Sequence, residues 1–319
     1  MQKDNVQKQY HDIKMAIEQK LGEEVAEIKH LSGGISFETN LIRLKDNRLY
    51  VFRSGADYIN SGHREIKIID CFSREKFFYD TLSNKMQIKF PNIILIDNSL
   101  KYYDKTFELY DFIEGIPLNM YIDQLDGLKL RQIYHEMGKI VAQINNTKLN
   151  VNHTYIQKRG AWNLFFADRL VERLLPLIAN GLISKEEVEI LVSKIKRHDY
   201  QVRDLSFLHL DIRPNNFIWN NGISALLDAE NSEWGDPYFE LARIDVYKLL
   251  NEDFLMGYRQ ESDIKVIDFQ SLIYKFYKLE GFAFLLNVFL NEICADKKET
   301  KSYLVQFLEL KSELLSKLK

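Results

Sequence analysis

The sequence predicts an α+β fold, a small sheet lobe followed by a larger, mainly helical lobe. Short runs of β-branched and aromatic residues, separated by turn residues, fill roughly the first third of the chain. Beyond them, apolar residues recur at three- and four-residue spacing over long stretches. The chain has 319 residues, 46% of them hydrophobic, which is enough for a sizeable core and for two lobes.

Residues 3–21 are polar, with Val6, Tyr10, Ile13, Ile17 and Leu21 at near-helical spacing, so the chain opens on a helix. A strand follows over 25–31, then Ser32-Gly33-Gly34-Ile35-Ser36, a second strand over 37–44, a turn at Asp46-Asn47 and a third strand over 49–53. Adjacent glycines between strands let the backbone approach an anion closely and offer it N–H donors. Most such pairs are plain hairpin turns, but the place of Gly33, Gly34 and Ser36 ahead of the third strand marks a phosphate-covering loop. A helix runs through 73–82, and after Pro91 the segments 93–96 and 107–113 read as two more strands. Leu130, Ile133, Met137, Ile140, Val141 and Ile144 line one face of a helix. Another begins near Trp162 and ends at Gly181, and Ser184-Lys185-Glu186-Glu187 is a capping box for the next. The stripe of Tyr303, Leu304, Phe307, Leu308, Leu314, Leu315 and Leu318 is core packing. There is no internal repeat, low-complexity tract or Pro-rich linker.

The chemistry is concentrated in His209-Leu210-Asp211-Ile212-Arg213-Pro214-Asn215-Asn216, followed by Leu226-Leu227-Asp228 and Gly235-Asp236-Pro237. An Asp, an Asn five positions later and a second Asp twelve beyond that are spaced as in a phosphoryl-transfer site. Asp211 can orient a hydroxyl and take its proton, while Asn216 and Asp228 offer oxygen to a magnesium ion. Residues 217–227 read as two strands around an Asn-Asn-Gly turn, a hairpin that would return Asp228 to Asn216. Taken singly, His209 is a brace of the loop and Asp236, before a proline, a cap.

This block resembles the catalytic loop of the protein-kinase-like superfamily, and within it the aminoglycoside phosphotransferase and choline kinase-like branch. Asp228-Ala229-Glu230, then Gly235-Asp236-Pro237 and Glu240-Leu241-Ala242, match that branch's pattern, with Ala229 where an aromatic is usual and Glu240 where Asp is usual. No Asp-Phe-Gly or Ala-Pro-Glu segment appears, which disfavours a protein kinase; retention of Asp211, Asn216 and Asp228 disfavours a nucleotide-binding pseudokinase. The resemblance extends over residues 25–258. It implies a protein-kinase-like two-lobe fold, with a nucleotide-binding lobe at 1–113 and a catalytic and substrate-binding lobe at 114–319. It implies that Arg53, on the third strand, takes the place of the usual Lys and binds the nucleotide phosphates, and that Glu75 pairs with it, Glu65 being the runner-up. It places backbone groups near Tyr110 and Phe112 against the nucleobase, and Arg213 near the γ-phosphate or on the surface. The implied reaction moves the γ-phosphate of ATP or GTP, with Mg²⁺, to a hydroxyl of a small molecule: an aminoglycoside or other antibiotic, or else choline, a sugar or an amino alcohol.

Acidic side chains at Glu230, Glu233, Glu240, Glu252, Asp253, Glu261 and Asp263 would suit a cationic acceptor, and Trp162, Phe165 and Phe166 either wall that acceptor or belong to the core. A net charge of −3 argues against nucleic acid as a partner. Cys71 and Cys294 have no metal-ligand spacing and suggest thiols in a reducing compartment. No signal-like apolar start is present, and the longest apolar run, at 282–289, is too short for a bilayer, so a cytoplasmic monomer or homodimer without membrane contact is expected.

Overall fold

Short runs rich in β-branched and aromatic residues make the first third of the chain a sheet, whose central strand, Leu49–Gly55, is buried along nearly its whole length. The computed structural model describes residues 2–31, 37–55, 58–61, 64–150, 160–197, 204–264, 267–292 and 298–318. The chain divides into two compact units, one comprising Met1–Asn60, Glu65–Pro117 and Phe217–Glu230, the other Ser61–Arg64, Leu118–Asn216 and Asn231–Lys319.

The first unit begins with helix α1 (Gln2–Leu21) and strands β1 (Val25–Leu31), β2 (Glu38–Leu44) and β3 (Leu49–Gly55). Asn47 takes the left-handed conformation, φ +70°, in the turn between β2 and β3. After a ribbon of β4 (Tyr58–Ser61) and β5 (Arg64–Lys67) come α2 (Ile68–Leu82), β6 (Ile93–Asp97), β7 (Thr106–Asp111) and β8 (Ile116–Pro117). Helix α2 starts five residues ahead of the expected Ser73, because Ile68, Cys71 and Phe72 are themselves buried on its inner face. Strands β1-β2-β3-β7-β6 form one antiparallel sheet in that order. Ile13 and Ile17 of α1 pack with Ile42, Leu44, Phe52, Phe107 and Leu109 on one face. Side chains alternate across a strand, so Arg53 of β3 and Glu108 of β7 share the other face, directly opposite each other in register. Cys71 is a free, buried thiol; Cys294 lies outside the described residues.

The second unit opens with α3 (Asn119–Ile122), α4 (Gly127–Asn146), β9 (Lys148–Asn150), α5 (Trp162–Ala179), α6 (Lys185–Arg197) and β10 (Asp204–Leu208), then a 3-10 turn, Pro214–Asn216. The apolar stripe read in α4 is the buried one: Ile133, Met137, Ile140, Val141 and Ile144. Gly181, at φ +69°, ends α5 while the Leu182 amide donates back to the Leu177 carbonyl at 3.0 Å. The capping box forms, with the Glu187 amide donating to Ser184 Oγ at 3.1 Å and the Ser184 amide to Glu187 Oε2 at 2.9 Å.

The chain then adds a hairpin to the first unit, β11 (Phe217–Trp219) and β12 (Ile223–Leu226), around Asn221 at φ +58°. It ends in the second unit with β13 (Glu233–Gly235), α7 (Pro237–Val246), α8 (Glu252–Glu261), α9 (Leu272–Glu292) and α10 (Lys298–Leu318). Strands β13-β10-β9 make a small sheet. Phe307 and Leu314 of α10 are buried, the core role expected for that stripe. The fold class is therefore the expected one, α+β with an antiparallel N-terminal sheet and a mainly helical C-terminal region. Among the described residues no helix is long and apolar enough to cross a membrane.

Helices α4 and α8 meet through glycine. A Cβ on Gly257 would run into the His135 carbonyl oxygen, and one on Gly138 into that of Phe254. Gly→Ala inside a helix normally adds up to about 1 kcal/mol of stability, but here the obstacle is backbone and cannot rotate away. Gly257→Ala is expected to destabilise the protein by about 1–3 kcal/mol, seen as a lower denaturant midpoint by far-UV circular dichroism.

Candidate active site

In the first unit the site grows from β3. Arg53 is buried, and its guanidinium meets three carboxylates: Glu75 at Nη2, Glu108 Oε1 at 2.9 Å from Nε, and Asp228 Oδ1 at 3.6 Å from Nη1. The rings of Phe37 and Phe72 lie 4.4 and 5.4 Å from its guanidinium carbon. Burial opposes the Arg53 charge, yet Glu108 and its other acidic neighbours raise its pKa. Glu108 is pushed up to about 7, because burial outweighs the help of Arg53 and Asp228 adds repulsion. Glu75 is fixed further, its Oε1 accepting from the Tyr79 hydroxyl at 3.0 Å and from the Ala229 amide at 3.0 Å. Asp228, just before that amide, takes φ +63°.

In the second unit the site follows β10. Leu210 adopts φ +62°, a conformation that a residue bearing a Cβ resists by roughly 1–2 kcal/mol. The fully buried Glu240 of α7 holds it there, accepting from the amides of His209 at 2.5 Å and Leu210 at 2.9 Å. Burial pushes the Glu240 carboxyl up to about 7 even though those two amides draw it down. The Asp211 amide donates to His209 Nδ1 at 3.3 Å, the bracing role expected of that histidine.

The Asp211 carboxylate is itself buried, with donors on both of its oxygens. Oδ2 accepts from Arg213 Nη2 at 2.6 Å and Asn216 Nδ2 at 2.8 Å, and Oδ1 accepts from the Tyr247 hydroxyl at 3.0 Å. Burial tends to raise its pKa, but Arg213, His209 and Asn216 outweigh that and hold it below the usual carboxylate range, ionised at neutral pH. Asn216 Nδ2 also donates to the Asp211 carbonyl at 2.8 Å, which commits its nitrogen. Behind α7, Glu280 accepts from Arg243 at 2.7 Å, Arg169 at 2.8 Å and Arg173 at 3.4 Å.

Of the residues singled out from sequence, Arg53, Glu75 and Asp228 meet in the first unit, and Asp211, Arg213 and Asn216 meet in the second. Gly33, Gly34 and Ser36 lie outside the described residues. Glu65 falls in β5, and Arg53 pairs with Glu75. Tyr110 is in β7, and the Phe112 amide donates to the Leu49 carbonyl at 3.1 Å. Asp236 caps α7, accepting from the Tyr238 amide at 2.9 Å and the Tyr277 hydroxyl at 2.9 Å. Trp162 and Phe166 are buried against Phe239 and Tyr277 and belong to the core, not to an acceptor wall. Glu240 and Glu233 are buried as well and leave the acidic rim.

Sequence reasoning missed Glu108, Tyr79 and Tyr247. Glu108 could have been found as the one charge between Phe107 and Leu109 in an otherwise apolar run. Tyr79, one helical turn after Glu75, had a weaker signal. Tyr247 had none, since it reaches Asp211 from 36 positions away.

Residues 27–260 match the family model described as the phosphotransferase enzyme family, APH. No curated protein matches the sequence. Solved structures similar to the chain include a thermostable mutant of aminoglycoside phosphotransferase APH(4)-Ia in ternary complex with AMP-PNP and hygromycin B, at TM-score 0.62 and 13% identity, covering 96% of this chain and 98% of that one. The GDP and kanamycin complex of APH(2'')-IIIa gives TM-score 0.61 and 14% identity over 96% of this chain and 99% of that one. Macrolide 2'-phosphotransferase MphH from Brachybacterium faecium gives 0.57 and 14% over 93% and 97%. At such identities these likenesses establish the shared fold.

The Glu280 cluster carries a pH prediction. Burial alone would raise the Glu280 pKa, but Arg243, Arg169 and Arg173 hold it at about 2, against 4.5 for a free carboxyl. A depressed carboxylate stabilises the fold above its unfolded value and loses that contribution as pH falls through the folded one. Glu280→Gln should therefore cost about 3 kcal/mol at neutral pH. The gap to wild type should close between pH 4.5 and 2, as measured by urea unfolding across that range.

Proposed function

Because this chain belongs to the phosphotransferase enzyme family, we propose that it is a small-molecule kinase moving the γ-phosphate of ATP or GTP to an acceptor hydroxyl, with an aminoglycoside or other antibiotic as acceptor. The observation that carries this reading is Asp211, a buried carboxylate held ionised by Arg213 and Asn216 in a loop braced by Glu240. A phosphoryl group in transfer needs little covalent help, so what matters is a fixed base and charge aimed at the phosphates. Asp211 orients the acceptor hydroxyl and takes its proton as the new oxygen–phosphorus bond forms and the bond to the bridging oxygen breaks. Arg213 brings positive charge toward the γ-phosphate. Arg53, braced by Glu75, anchors the nucleotide phosphates, with Gly33, Gly34 and Ser36 as further phosphate-binding residues. The nucleobase meets the segment of Tyr110 and Phe112. The lobe at 1–113 carries nucleotide binding, and the lobe at 114–319 carries catalysis and the acceptor.

The donor chemistry suits Mg²⁺. Asp228 in the first unit and Asn216 in the second each carry a hard oxygen donor, and Arg53 alone does not neutralise the carboxylates of Glu75, Glu108 and Asp228. Mg²⁺ commonly keeps waters and nucleotide phosphates among its ligands beside one or two side-chain oxygens. When bound, Mg²⁺ neutralises charge developing on the phosphate oxygens. The neighbours crystallised with AMP-PNP and hygromycin B, or with GDP and kanamycin, support a nucleotide donor and an antibiotic acceptor.

The deciding assay follows coupled ADP and GDP release with Mg²⁺ against aminoglycosides, macrolides, choline, sugars and amino alcohols. Asp211→Asn should bind nucleotide normally while losing at least about a hundredfold in turnover. Asp228→Ala should lose the Mg²⁺-dependent part of nucleotide affinity, read by titration calorimetry with and without the metal. Full turnover in Asp211→Asn would remove Asp211 from the chemistry and sink the proposal.

A further inference from the structure

We propose that Tyr247 is a positioning residue that fixes the rotation of the Asp211 carboxylate, so that Oδ1 is the oxygen presented to the acceptor hydroxyl. This rests on the reading of Asp211 as the base.

A carboxylate has about four lone-pair sites on its two oxygens. Oδ2 is filled by Arg213 at 2.6 Å and Asn216 at 2.8 Å, whereas Oδ1 accepts only the Tyr247 hydroxyl, at 3.0 Å. The remaining site is therefore on Oδ1, and that is where an acceptor proton can go. Rotation about the Cβ–Cγ bond carries both oxygens together, and the barrier to it is low because sp³–sp² torsions are broad, so donors at both ends of the carboxylate resist it more than donors on Oδ2 alone. The Tyr247 hydroxyl supplies the second fixed point. The free lone pair then keeps one direction, whether or not an acceptor is present.

Tyr247 is itself held. It stands at the C-terminal cap of α7, where its amide donates to the Arg243 carbonyl at 3.1 Å, and Lys248 at φ +61° turns the chain away directly after it. The Arg213 guanidinium carbon lies 5.4 Å from its ring. One turn back, the buried Arg243 donates to Glu280 at 2.7 Å, so α7 is tied to α9 just ahead of the cap. Burial, then the neighbouring Asp211 charge, keeps the phenol protonated. It acts as a donor to Asp211 and does not compete for the acceptor proton.

The test uses the full chain and the variants Tyr247→Phe, Asp211→Asn and their combination, with Mg²⁺-ATP and Mg²⁺-GTP as donors and water or kanamycin as acceptor. Tyr247→Phe removes one oxygen atom and should lower turnover roughly tenfold to a hundredfold with acceptor KM and nucleotide affinity little changed. In the Asp211→Asn background it should cost nothing more, since the two act through one group. A crystal structure of Tyr247→Phe should show the Asp211 carboxylate rotated or split over two orientations. Wild-type turnover in Tyr247→Phe, a loss shared equally by turnover, nucleotide affinity and Tm, or a carboxylate that has not moved would each overturn the positioning role. The crystal comparison decides even where neither acceptor is turned over. Full activity in Asp211→Asn would instead overturn the base assignment beneath it, and that result reads separately from any effect of Tyr247→Phe.

Discussion

The loop after β10 exists in its observed form because Glu240 holds two consecutive backbone amides. At Leu210 the chain reverses through a left-handed conformation, at φ +62°, that its side chain disfavours. Without a partner the amides of His209 and Leu210 would also be buried donors left unsatisfied, a cost of about 1–3 kcal/mol each. Accepting both, Glu240 removes that cost and locks the reversal in one step. The consequences run outward along the chain. His209 turns inward and receives the Asp211 amide, the Asp211 side chain leaves in one direction, and Asn216 can reach back to both the carbonyl and the carboxylate. The departure from Asp to Glu at this position is thus a change in a brace, one methylene longer, and it leaves Asn216 and Asp228 untouched.

Both units bury unequal numbers of opposite charges, and the inequality runs in opposite directions. Around Glu280, three guanidiniums share one carboxylate, and burial with the repulsion of Arg169 pushes the Arg173 pKa down to about 9. Around Arg53, three carboxylates share one guanidinium, and Glu108 rises to about 7. Buried ion pairs contribute little net stability, because desolvation consumes most of the attraction. What they supply is placement. The Glu280 cluster joins α5, α7 and α9 behind the cap that carries Tyr247. The Arg53 cluster is different in kind: it is not closed on all sides, because Asp228 is partly exposed, with about a third of its side chain open.

Local signals made the elements legible in the sequence. The first three strands, the capping box at Ser184, the helix end at Gly181 and the Asn-Asn-Gly hairpin are all set over a few residues, and each is found where it was read to within a residue or two. The core of the site was legible for another reason: Asp211, Arg213 and Asn216 lie within one turn of chain, so spacing alone fixes their neighbourhood. What escaped was set by packing at long range. Glu108 meets Arg53 through strand register, and Tyr247 meets Asp211 because α7 folds back beside the loop; neither follows from spacing. Trp162 and Phe166 could be read from sequence as wall or, more readily, as core, and the aromatic cluster with Phe239 and Tyr277 decides for the core.

That register explains why the third strand carries Arg and not Lys. Arg53 presents its nitrogens in separate directions, Nη2 to Glu75 on α2, Nε to Glu108 on the neighbouring strand and Nη1 toward Asp228. A lysine ammonium is a compact point charge on a flexible stem, and its single nitrogen could approach one or two of these carboxylates while leaving another buried without a partner. The planar fork meets both fixed carboxylates with two of its nitrogens. The longest of the three contacts, 3.6 Å to Asp228, is the one at the open side of the cluster.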